Sequence, residues 1–272
     1  MQKLPTAVIQ MNAGPDKAVN IENAARLIIR ASRNGARLVA LPELFTWRGN
    51  KKGIAKNSEP LSGFTFRKMA DLASSLNIFL LCGSILEVNP RSERPYNTSL
   101  LLSPQGKLIA QYRKIHLFKL KSPGKTLIDE QSLYSPGKVA KAATTPFATV
   151  GLTICYDLRF PELYRSLTYQ GAEIIFVPSA FTFDTGNAHW ETLIRARAIE
   201  NQVFIIAPNQ CGMGPSATRN YGHSMIVDPW GTVIARCKNG EKIIYAELDL
   251  MYLKTVRNKL PALSHKKINT IY

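Results

Sequence analysis

A cysteine that directly follows a short apolar segment is the residue in this sequence with the clearest capacity for chemistry. Cys155 lies in the stretch GLTICYDLRFPELYR, after the apolar residues 152–154, which predict a buried strand. Asp157 and Pro161 then predict the start of a helix. A thiol between a strand and a helix lies where backbone N–H groups point outward, which lowers the thiol pKa and favours the thiolate. We therefore predict that Cys155 is a catalytic nucleophile.

Two charged residues follow predicted strands in the same way. Glu43 comes after the apolar residues 38–41, and Lys114 lies just past the second strand of a predicted hairpin. Taken singly these residues are ordinary: a charged loop residue, a solvated lysine and, in Cys155, a small buried hydrophobe. Because sites in α/β proteins often lie at strand ends, we expect the three to meet at one sheet edge. Together they form a complete set for acyl transfer. The thiol is the nucleophile, and the carboxylate is the base that takes its proton. The ammonium, with the N–H of Tyr156, stabilises the oxyanion.

The rest of the pattern predicts the elements that position these residues. Turn sequences at residues 103–106 and 228–231 predict hairpins, and residues 47–59 and 116–137 predict loops. The predicted strands are residues 7–11, 38–41, 78–82, 97–102, 108–112, 174–177, 203–207, 224–227, 232–235 and 243–248, and the predicted helices are residues 16–35, 62–76, 161–170 and 190–201. No linker separates two compositions. We predict one α/β domain, layered as two sheets covered by helices.

Composition and charge narrow the class of protein. The chain has 272 residues, 45% of them hydrophobic, and can bury a sizeable core. It has no run of 18 apolar residues, and residues 1–11 lack the features of a signal peptide, so we expect no membrane association. Four cysteines without a CxxC pair argue against disulfides and zinc and favour the cytoplasm. The net charge of +16 comes without a nucleic-acid-binding motif, which favours a solvated basic surface over nucleic-acid binding.

Three segments resemble motifs of the nitrilase superfamily of carbon–nitrogen hydrolases. They are residues 42–45 (PELF), 112–118 (YRKIHLF) and 151–165. They occur in the order of that family, with 71 residues from Glu43 to Lys114 and 41 residues from Lys114 to Cys155. The resemblance extends from residue 7 to about residue 250. Three long motifs in register are far more specific than one short pattern.

The resemblance implies roles for four side chains. Glu43 is expected to be the general base, Lys114 the oxyanion-stabilising lysine and Cys155 the nucleophile. Glu130, located by its distance from the SPG sequence at residues 135–137, is expected to be the second glutamate of the family, which orients the lysine and the substrate.

The resemblance also implies a fold and an assembly. The family fold is an α-β-β-α four-layer sandwich, which usually pairs into homo-oligomers, and its reaction uses no metal and no organic cofactor. We therefore expect a single hydrolase domain over residues 1–250. Residues 251–272 form a basic tail that we expect to pack on the domain or in an oligomer interface.

Further segments are similar to the Nit-type amidases of that superfamily. They are residues 178–182, 189–191, 195–198, 210–212, 221–225 and 228–231. The resemblance implies that the substrate is a small anionic amide. The favoured candidate is the amide between a 2-oxoglutaryl group and cysteinylglycine. Arg159, one helical turn beyond Cys155, is expected to hold a substrate carboxylate bidentately, with Thr182 as a second contact and Tyr156 as an N–H donor.

Several alternatives stay open from the sequence. The same chemistry could act on 2-oxoglutaramate, as in an omega-amidase, or on an N-carbamoyl amino acid. Arg159 could form a structural ion pair with Glu162, three residues further on. The chain could also be a basic binding protein on an inactive hydrolase fold, although the intact Glu–Lys–Cys set argues against this. We predict an amidase that acts through a thioester on Cys155.

Overall fold

The computed structural model describes residues 3–122 and 125–267, without the side chains of residues 122, 125–127 and 216, so that the end of the predicted basic tail lies outside the described residues. The strands are β1 Lys3–Gln10, β2 Leu38–Ala40, β3 Phe79–Leu81, β4 Ile85–Glu87, β5 Tyr96–Leu102, β6 Leu108–Arg113, β7 Lys119–Ser122, β8 Lys125–Asp129, β9 Lys141–Thr144, β10 Thr149–Leu152, β11 Ile174–Phe176, β12 Phe204–Ala207, β13 Met225–Val227, β14 Val233–Arg236 and β15 Lys242–Asp249. The helices are α1 Lys17–Arg33, α2 Ile54–Asn57, α3 Phe64–Ser75, α4 Pro161–Tyr169, α5 Phe183–Asn201 and α6 Leu250–Lys259.

The strands form two sheets of similar construction. The first has the order β15-β1-β2-β3-β5-β4, with β6 paired to β5, and the second has the order β14-β13-β12-β11-β10-β9. Parallel strands lie at the centre of each sheet, β1-β2-β3 in the first and β10-β11-β12 in the second. Antiparallel strands flank them on both sides. Glu43 and Cys155 therefore each follow the C-terminal end of a central parallel strand, β2 and β10 respectively.

Alternation of side chains along the first sheet separates two apolar cores. Val39 faces the outer helices, where it packs in one core with Ile28 of α1. Leu38, on the opposite face of the same strand, belongs to the core between the two sheets. The helices α4 and α5 cover the outer face of the second sheet, and their Leu167 and Ile194 belong to the same connected apolar cluster. The protein is an α-β-β-α four-layer sandwich, which confirms the predicted fold.

Both predicted hairpins are present. Gly106, with φ of +70°, closes the β5–β6 turn and donates its N–H to the carbonyl of Ser103 at 2.9 Å. Gly231, with φ of +89°, closes the β13–β14 turn and donates its N–H to the carbonyl of Asp228 at 3.0 Å. Glycine reaches these angles without steric cost. The first hairpin ends at Arg113, so that Lys114 is the first residue past a fixed strand.

Helix α5 is longer than the sequence predicts. The pattern places its start at Trp190, but the helix begins at Phe183. Its second turn contains Gly186, where an added Cβ would lie 2.3 Å from the Tyr221 Cβ. Glycine has a low helix propensity, so the local pattern hides this segment, and packing against Tyr221 overrides the propensity. The longer helix places Thr182 at its N-cap.

Two segments that the sequence predicts as loops contain regular structure. Residues 47–59 include a 3₁₀ turn and α2, and Trp47 lies so close to Gly53 that an added Cβ there would be 2.5 Å from its ring. Residues 116–137 include the β7–β8 hairpin and a 3₁₀ turn that begins at Glu130. Neither segment has apolar periodicity, so its structure depends on tertiary packing and backbone pairing that the pattern does not reveal.

Three more elements go beyond the prediction. The strands β4 and β9 were not predicted, because each is short and neither has a pronounced apolar alternation. Helix α6 lies at the start of the basic tail, where Asp249 caps its first turn and Leu253 and Val256 are buried.

None of the helices in the described part of the chain is long and apolar enough to cross a membrane.

Gly83 lies where the turn that carries Glu43 approaches the end of β3. Its φ is +29°, and an added Cβ would lie 1.9 Å from the carbonyl oxygen of Pro42. We predict that Gly83→Ala lowers the free energy of unfolding by at least about 2 kcal/mol, because backbone would have to move. Urea unfolding followed by circular dichroism measures this change. Gly14→Ala is the control, because an added Cβ there meets nothing within 4 Å; equal effects of the two substitutions would contradict the prediction.

Candidate active site

Cys155 occupies a sharp turn between β10 and α4. The strand ends at Leu152, and a 3₁₀ turn begins at Cys155, which has a φ of +50° in the left-handed region. Its backbone N–H donates to the carbonyl oxygen of Pro178 at 3.0 Å, which fastens the turn to the residues after β11. This conformation costs a non-glycine residue on the order of 1 kcal/mol or more, so the surrounding contacts must hold it.

Asp157 holds this turn from inside the protein. Its buried carboxylate accepts hydrogen bonds from the Tyr112 hydroxyl at 2.8 Å, the Ile154 N–H at 2.8 Å and the His116 N–H at 3.1 Å. The Nδ1 atom of His116 lies 2.7 Å from the same carboxylate. Burial and the charge of Asp157 raise the pKa of Tyr112 well above its usual value, so that the hydroxyl stays a donor. Asp157 was predicted to start a helix; it ties the Cys155 turn to the segment after β6.

Glu43 is presented by a turn after β2. Leu44, with φ of +50°, donates its N–H to Ser84 Oγ at 2.9 Å, and Gln210 Nε2 donates to the carbonyl oxygen of Glu43 at 2.9 Å. Asn97 Nδ2 donates to Glu43 Oε1 at 2.8 Å. Within the described residues the other carboxylate oxygen, Oε2, has no hydrogen-bond partner. One oxygen of Glu43 is therefore fixed, and the other is left to accept a proton.

Lys114 lies between two carboxylates, with its side chain fully buried. Its backbone is fixed on both sides, because its N–H donates to Asn97 O at 2.8 Å and its carbonyl accepts from the N–H of Gly137 at 2.7 Å. Its Nζ atom lies 2.8 Å from Glu43 Oε1, 2.8 Å from Glu130 Oε2 and 3.0 Å from Glu130 Oε1. A buried ammonium requires such partners, since an unpaired charge in the interior is strongly unfavourable.

Glu130 reaches Lys114 from the segment predicted as a loop. It begins the 3₁₀ turn directly after β8 and forms two hydrogen bonds with Phe118. Its N–H donates to Phe118 O at 2.9 Å, and the Phe118 N–H donates to Glu130 Oε2 at 2.7 Å. Burial raises the pKa of Glu130, Lys114 opposes this rise, and the charge of Glu43 adds to it, so that the pKa lies above its usual value.

The electrostatics of the site differ from the expectation for Cys155. Burial lowers the pKa of Lys114, but the charges of Glu130 and Glu43 outweigh burial, so its pKa lies well above the usual value. Burial and the charge of Glu43 raise the pKa of the Cys155 thiol well above its usual value, and Lys114 offsets only part of this. The predicted lowering of the thiol pKa is therefore wrong. The site holds a neutral thiol, which needs a base to become a nucleophile.

Cys155 lies in the lining of a small, partly open pocket. The pocket is lined by Phe118, Cys155, Tyr156, Arg159, Ala180, Phe181, Thr182 and Thr185. The three residues predicted to bind substrate, Tyr156, Arg159 and Thr182, all belong to this lining. Aromatic walls with one guanidinium and two hydroxyl groups suit a small molecule that carries a carboxylate.

Arg159 is loosely held inside the pocket. Its Nη2 and Nη1 atoms lie 3.3 Å and 3.4 Å from His189 Nδ1, and its guanidinium carbon lies 5.8 Å and 5.6 Å from the ring centres of Tyr156 and Phe181. The alternative of an ion pair with Glu162 is wrong, since no such pair forms among the described residues. The guanidinium therefore keeps most of its donors for a ligand.

The profile of the carbon–nitrogen hydrolase family matches residues 6–258. The chain belongs to the carbon–nitrogen hydrolase family. This hydrolase is 41% identical to the deaminated glutathione amidase of Bos taurus over 266 residues, which cover 96% of this chain and 81% of the relative. It is 37% identical to the deaminated glutathione amidase of Synechocystis sp. over 269 residues, which cover 98% of this chain and 99% of the relative.

A crystal structure has the same fold. Nit3 of Saccharomyces cerevisiae, a member of branch 10 of the nitrilase superfamily, matches the hydrolase with a TM-score of 0.89 at 35% identity, over 98% of this chain and 97% of that chain. The resemblance to the nitrilase superfamily that the sequence indicated is thus confirmed. The chain is an amide-hydrolysing enzyme.

Two histidines of the hydrolase contact other groups of the protein, and the described side chains form no metal-ligand cluster. In the part of the chain that the structure describes, no group of three or more His, Cys, Asp or Glu side chains is arranged to hold a metal ion. His223 Nδ1 lies 2.8 Å from the carbonyl oxygen of Tyr221, and the ring of His116 contacts Asp157.

Sequence reasoning missed the residues that hold the reactive groups. Asn97, Ser84 and Gln210 fix the Glu43 turn, and Asp157 fixes the Cys155 turn. Each is a polar residue next to an apolar run, which is a usable signal of a buried hydrogen-bonding role. Their partners depend on sheet order and register, which the pattern of the sequence does not contain.

The raised pKa of Cys155 sets the pH dependence of its alkylation. A thiol whose folded pKa lies well above the usual value is neutral at pH 7, so its thiolate fraction grows as pH rises. We predict that the rate of Cys155 alkylation by iodoacetamide increases roughly tenfold per pH unit from about pH 6 to 9, without a plateau. Peptide mass spectrometry over time measures the rate at each residue. The control is Cys211, whose pKa burial raises to about 12. A plateau of the Cys155 rate at or below pH 7 would contradict the prediction.

Proposed function

We propose that this hydrolase cleaves deaminated glutathione, the amide of 2-oxoglutarate with cysteinylglycine, into 2-oxoglutarate and cysteinylglycine. The observation that carries the proposal is the contact of Lys114 with both Glu43 and Glu130 beside the Cys155 pocket. Such a set supplies a nucleophile, a base and a cation for the oxyanion. The relatives named deaminated glutathione amidase, which match nearly the whole chain, suggest the substrate.

In the first step, Cys155 attacks the amide carbonyl. Glu43 takes the thiol proton on Oε2, the oxygen that has no partner among the described residues. This transfer is necessary because the thiol is neutral at pH 7. A sulfur–carbon bond forms, and the carbonyl becomes a tetrahedral oxyanion.

Lys114 and the N–H of Tyr156 bind this oxyanion. The raised pKa of Lys114 keeps the ammonium charged at neutral pH. No acceptor for the Tyr156 N–H occurs in the described part of the chain, so this donor is free to face the oxyanion. Glu130 serves as a positioning residue, since it holds the ammonium between 2.8 and 3.0 Å from its carboxylate.

The second half of the reaction returns the site to its initial state. Glu43 gives its proton to the departing nitrogen, the carbon–nitrogen bond breaks, and a thioester remains on Cys155. Glu43 then takes a proton from water, whose oxygen attacks the thioester. The sulfur leaves, is protonated again by Glu43, and the acid is released.

The pocket provides recognition of the acyl half. Arg159 is placed to bind the carboxylate next to the 2-oxo group, because its guanidinium has only weak contacts inside the protein. Thr182, whose Oγ1 lies 2.8 Å from Thr185 Oγ1, supplies a hydroxyl contact. The rings of Phe118 and Phe181 form walls for the methylene groups between the two ends.

Substitutions at Cys155 and Glu43 test the mechanism. We predict that Cys155→Ala keeps the circular dichroism spectrum of the wild type and loses at least roughly 1,000-fold in kcat/KM. Glu43→Gln removes the base without changing the shape of the side chain and is expected to lose about 100-fold or more. Cys237→Ala, which removes a thiol outside the pocket, is the control. Substantial amidase activity of Cys155→Ala would rule out the proposed nucleophile.

Two measurements on the wild-type protein test the substrate. Mass spectrometry of acid-quenched enzyme during turnover is expected to show one 2-oxoglutaryl group on the peptide that contains Cys155. The value of kcat/KM is expected to be higher for deaminated glutathione than for 2-oxoglutaramate or an N-carbamoyl amino acid. A reversed order would replace the proposed substrate and leave the thioester mechanism in place.

We also propose that the hydrolase is a homodimer or larger homo-oligomer of the cytoplasm. Three large apolar side chains are about half exposed: Ile199 (50%), Trp230 (48%) and Leu260 (50%). They are neighbours on the surface. Ile199 packs on Gly231, the residue after Trp230, and the side chain of Lys259, the residue before Leu260, lies over the Trp230 ring. Such an apolar surface favours association. The four cysteines are unpaired and buried, which suits a reducing compartment.

Sedimentation velocity tests the oligomer. We predict a species of at least two chains for the wild type at micromolar concentration, and a shift toward monomer for Trp230→Glu, because the new charge would be buried in the contact. Trp230→Phe, which keeps an apolar ring, is the matched control. A monomeric wild type would contradict the proposal.

A further inference from the structure

Arg48 places a second guanidinium near the pocket, and the mechanism above does not use it. The residue lies in the segment after the Glu43 turn. Its Nη1 atom donates to Asn220 Oδ1 at 2.9 Å. Both terminal nitrogens lie 3.1 Å from the point at which a Cβ would stand on Gly214, so the guanidinium rests against backbone that bears no side chain.

Among the described residues, Arg48 has no carboxylate partner, although it is partly buried. Arg113, in contrast, donates from two nitrogens to the two oxygens of Glu87. A guanidinium has five N–H donors, and Asn220 accepts from one of them. A cation that is withdrawn from water and lacks an opposite charge is unfavourable until an anion binds.

The residue that holds Arg48 belongs to a segment along the pocket wall. Asn220 forms an antiparallel bridge with Thr182, and the N–H of Tyr221 donates to Phe181 O at 2.9 Å. Thr182 and Phe181 both line the pocket. Arg48 therefore contacts the segment that is paired with this wall of the pocket.

Hydrogen bonds link Arg48 to the turn that carries Glu43. Its partner Asn220 donates from Nδ2 to the carbonyl oxygen of Cys211 at 3.3 Å. The neighbouring Gln210 donates to the carbonyl oxygen of Glu43 at 2.9 Å.

Burial lowers the pKa of Arg48, and the charges of Glu43, Tyr134, Cys155 and Glu130 oppose this lowering, with Glu43 foremost. The catalytic groups are thus near enough to act on the guanidinium through space.

The order of the reaction separates the two sides of the pocket. Because Glu43 protonates the departing nitrogen, the leaving amine lies on the Glu43 side of Cys155, and the acyl half extends toward Arg159. The leaving half of deaminated glutathione is a dipeptide with a carboxylate at its far end. An extended dipeptide spans about 7 Å, which carries this carboxylate away from the sulfur and along the Glu43 side.

We propose that Arg48 binds the terminal carboxylate of the leaving amine and so makes the hydrolase selective for amides of amino acids and peptides over primary amides. This inference rests on the proposed function. The two guanidinium groups then divide the substrate between them: Arg159 binds the carboxylate of the acyl half, and Arg48 binds the carboxylate of the amine half. Both contacts are charge-assisted and can be bidentate.

A general electrostatic role for Arg48 makes a different prediction. Glu43 and Glu130 together exceed Lys114 by one negative charge, and Arg48 would balance that excess. Its loss would then alter the chemistry at Cys155 for every substrate by the same factor. A role in recognition alters only substrates whose amine half carries a carboxylate, so a comparison of substrates separates the two roles.

The test compares Arg48→Met and Arg48→Lys with the wild type on three substrates. These are deaminated glutathione, the same compound with its glycine carboxylate capped as an amide, and 2-oxoglutaramate, whose leaving group is ammonia. For Arg48→Met we expect kcat/KM on deaminated glutathione to fall at least about 10-fold further than on 2-oxoglutaramate, mainly through KM. Arg48→Lys is expected to recover part of this loss. Arg26→Met, on the exposed face of α1, removes the same charge outside the pocket and is the matched control.

The capped substrate keeps the test decisive even if Arg48→Met does not fold. With the wild type, the cap alone is expected to lower kcat/KM at least about 10-fold, and Arg48→Met is expected to cause little further loss on the capped compound. Equal rates of the wild type on capped and uncapped substrate overturn the inference. So do equal losses of Arg48→Met on all three substrates, which would indicate the electrostatic role.

Failure of the inference and failure of the proposed function give different results. If the wild type hydrolyses deaminated glutathione efficiently and the variants lose activity equally on every substrate, only the role of Arg48 is wrong. If the wild type hydrolyses 2-oxoglutaramate and leaves deaminated glutathione intact, both the proposed substrate and the role of Arg48 are wrong.

Discussion

The ammonium of Lys114, buried between the carboxylates of Glu43 and Glu130, is the interaction on which the candidate site depends. Three separate parts of the chain meet there: the turn after β2, the end of β6 and the turn after β8. None of these charges is stable in the interior alone, because each lacks water and needs its partners. The ion cluster therefore fixes the relative positions of the first sheet and the β7–β8 hairpin. It also sets the field at Cys155, which the second sheet supplies.

That field explains why the site combines a neutral thiol with a nearby carboxylate. Two glutamates and one lysine leave a negative excess beside the sulfur, and burial adds to the cost of a thiolate. In the proposed mechanism, the thiol therefore keeps its proton until a substrate carbonyl is in place and Glu43 accepts that proton. The strained turn at Cys155 is compatible with this chemistry because Asp157 holds it with contacts to both neighbouring segments. The reactivity of Cys155 in this mechanism depends on its position relative to Glu43 and Lys114 and is not a property of the thiol alone.

Two of the many positively charged residues of the chain lie where they could bind a substrate. Most of the 35 lysines and arginines lie away from the candidate active site. The net charge of +16 therefore does not discriminate between the candidate functions. Two arginines differ from the rest. Arg159 lies inside the pocket with weak contacts, and Arg48 contacts a segment that pairs with one wall of the pocket and has one neutral partner there. In the proposed mode of binding, these two cations each bind one carboxylate of a substrate that is charged at both ends.

Local patterns determined much of this protein. Apolar runs and turn residues located most of the strands and the outer helices, because side-chain period and turn chemistry are properties of short segments. The same patterns identified Glu43, Lys114 and Cys155 as residues at strand ends. The tertiary structure decided the rest. The bond from Asn97 to Glu43 joins residues 54 positions apart, and the bond from Arg48 to Asn220 joins residues 172 positions apart. The thiol pKa, the start of α5 and these contacts depend on burial, register and the approach of distant segments, which a chain acquires only when it folds.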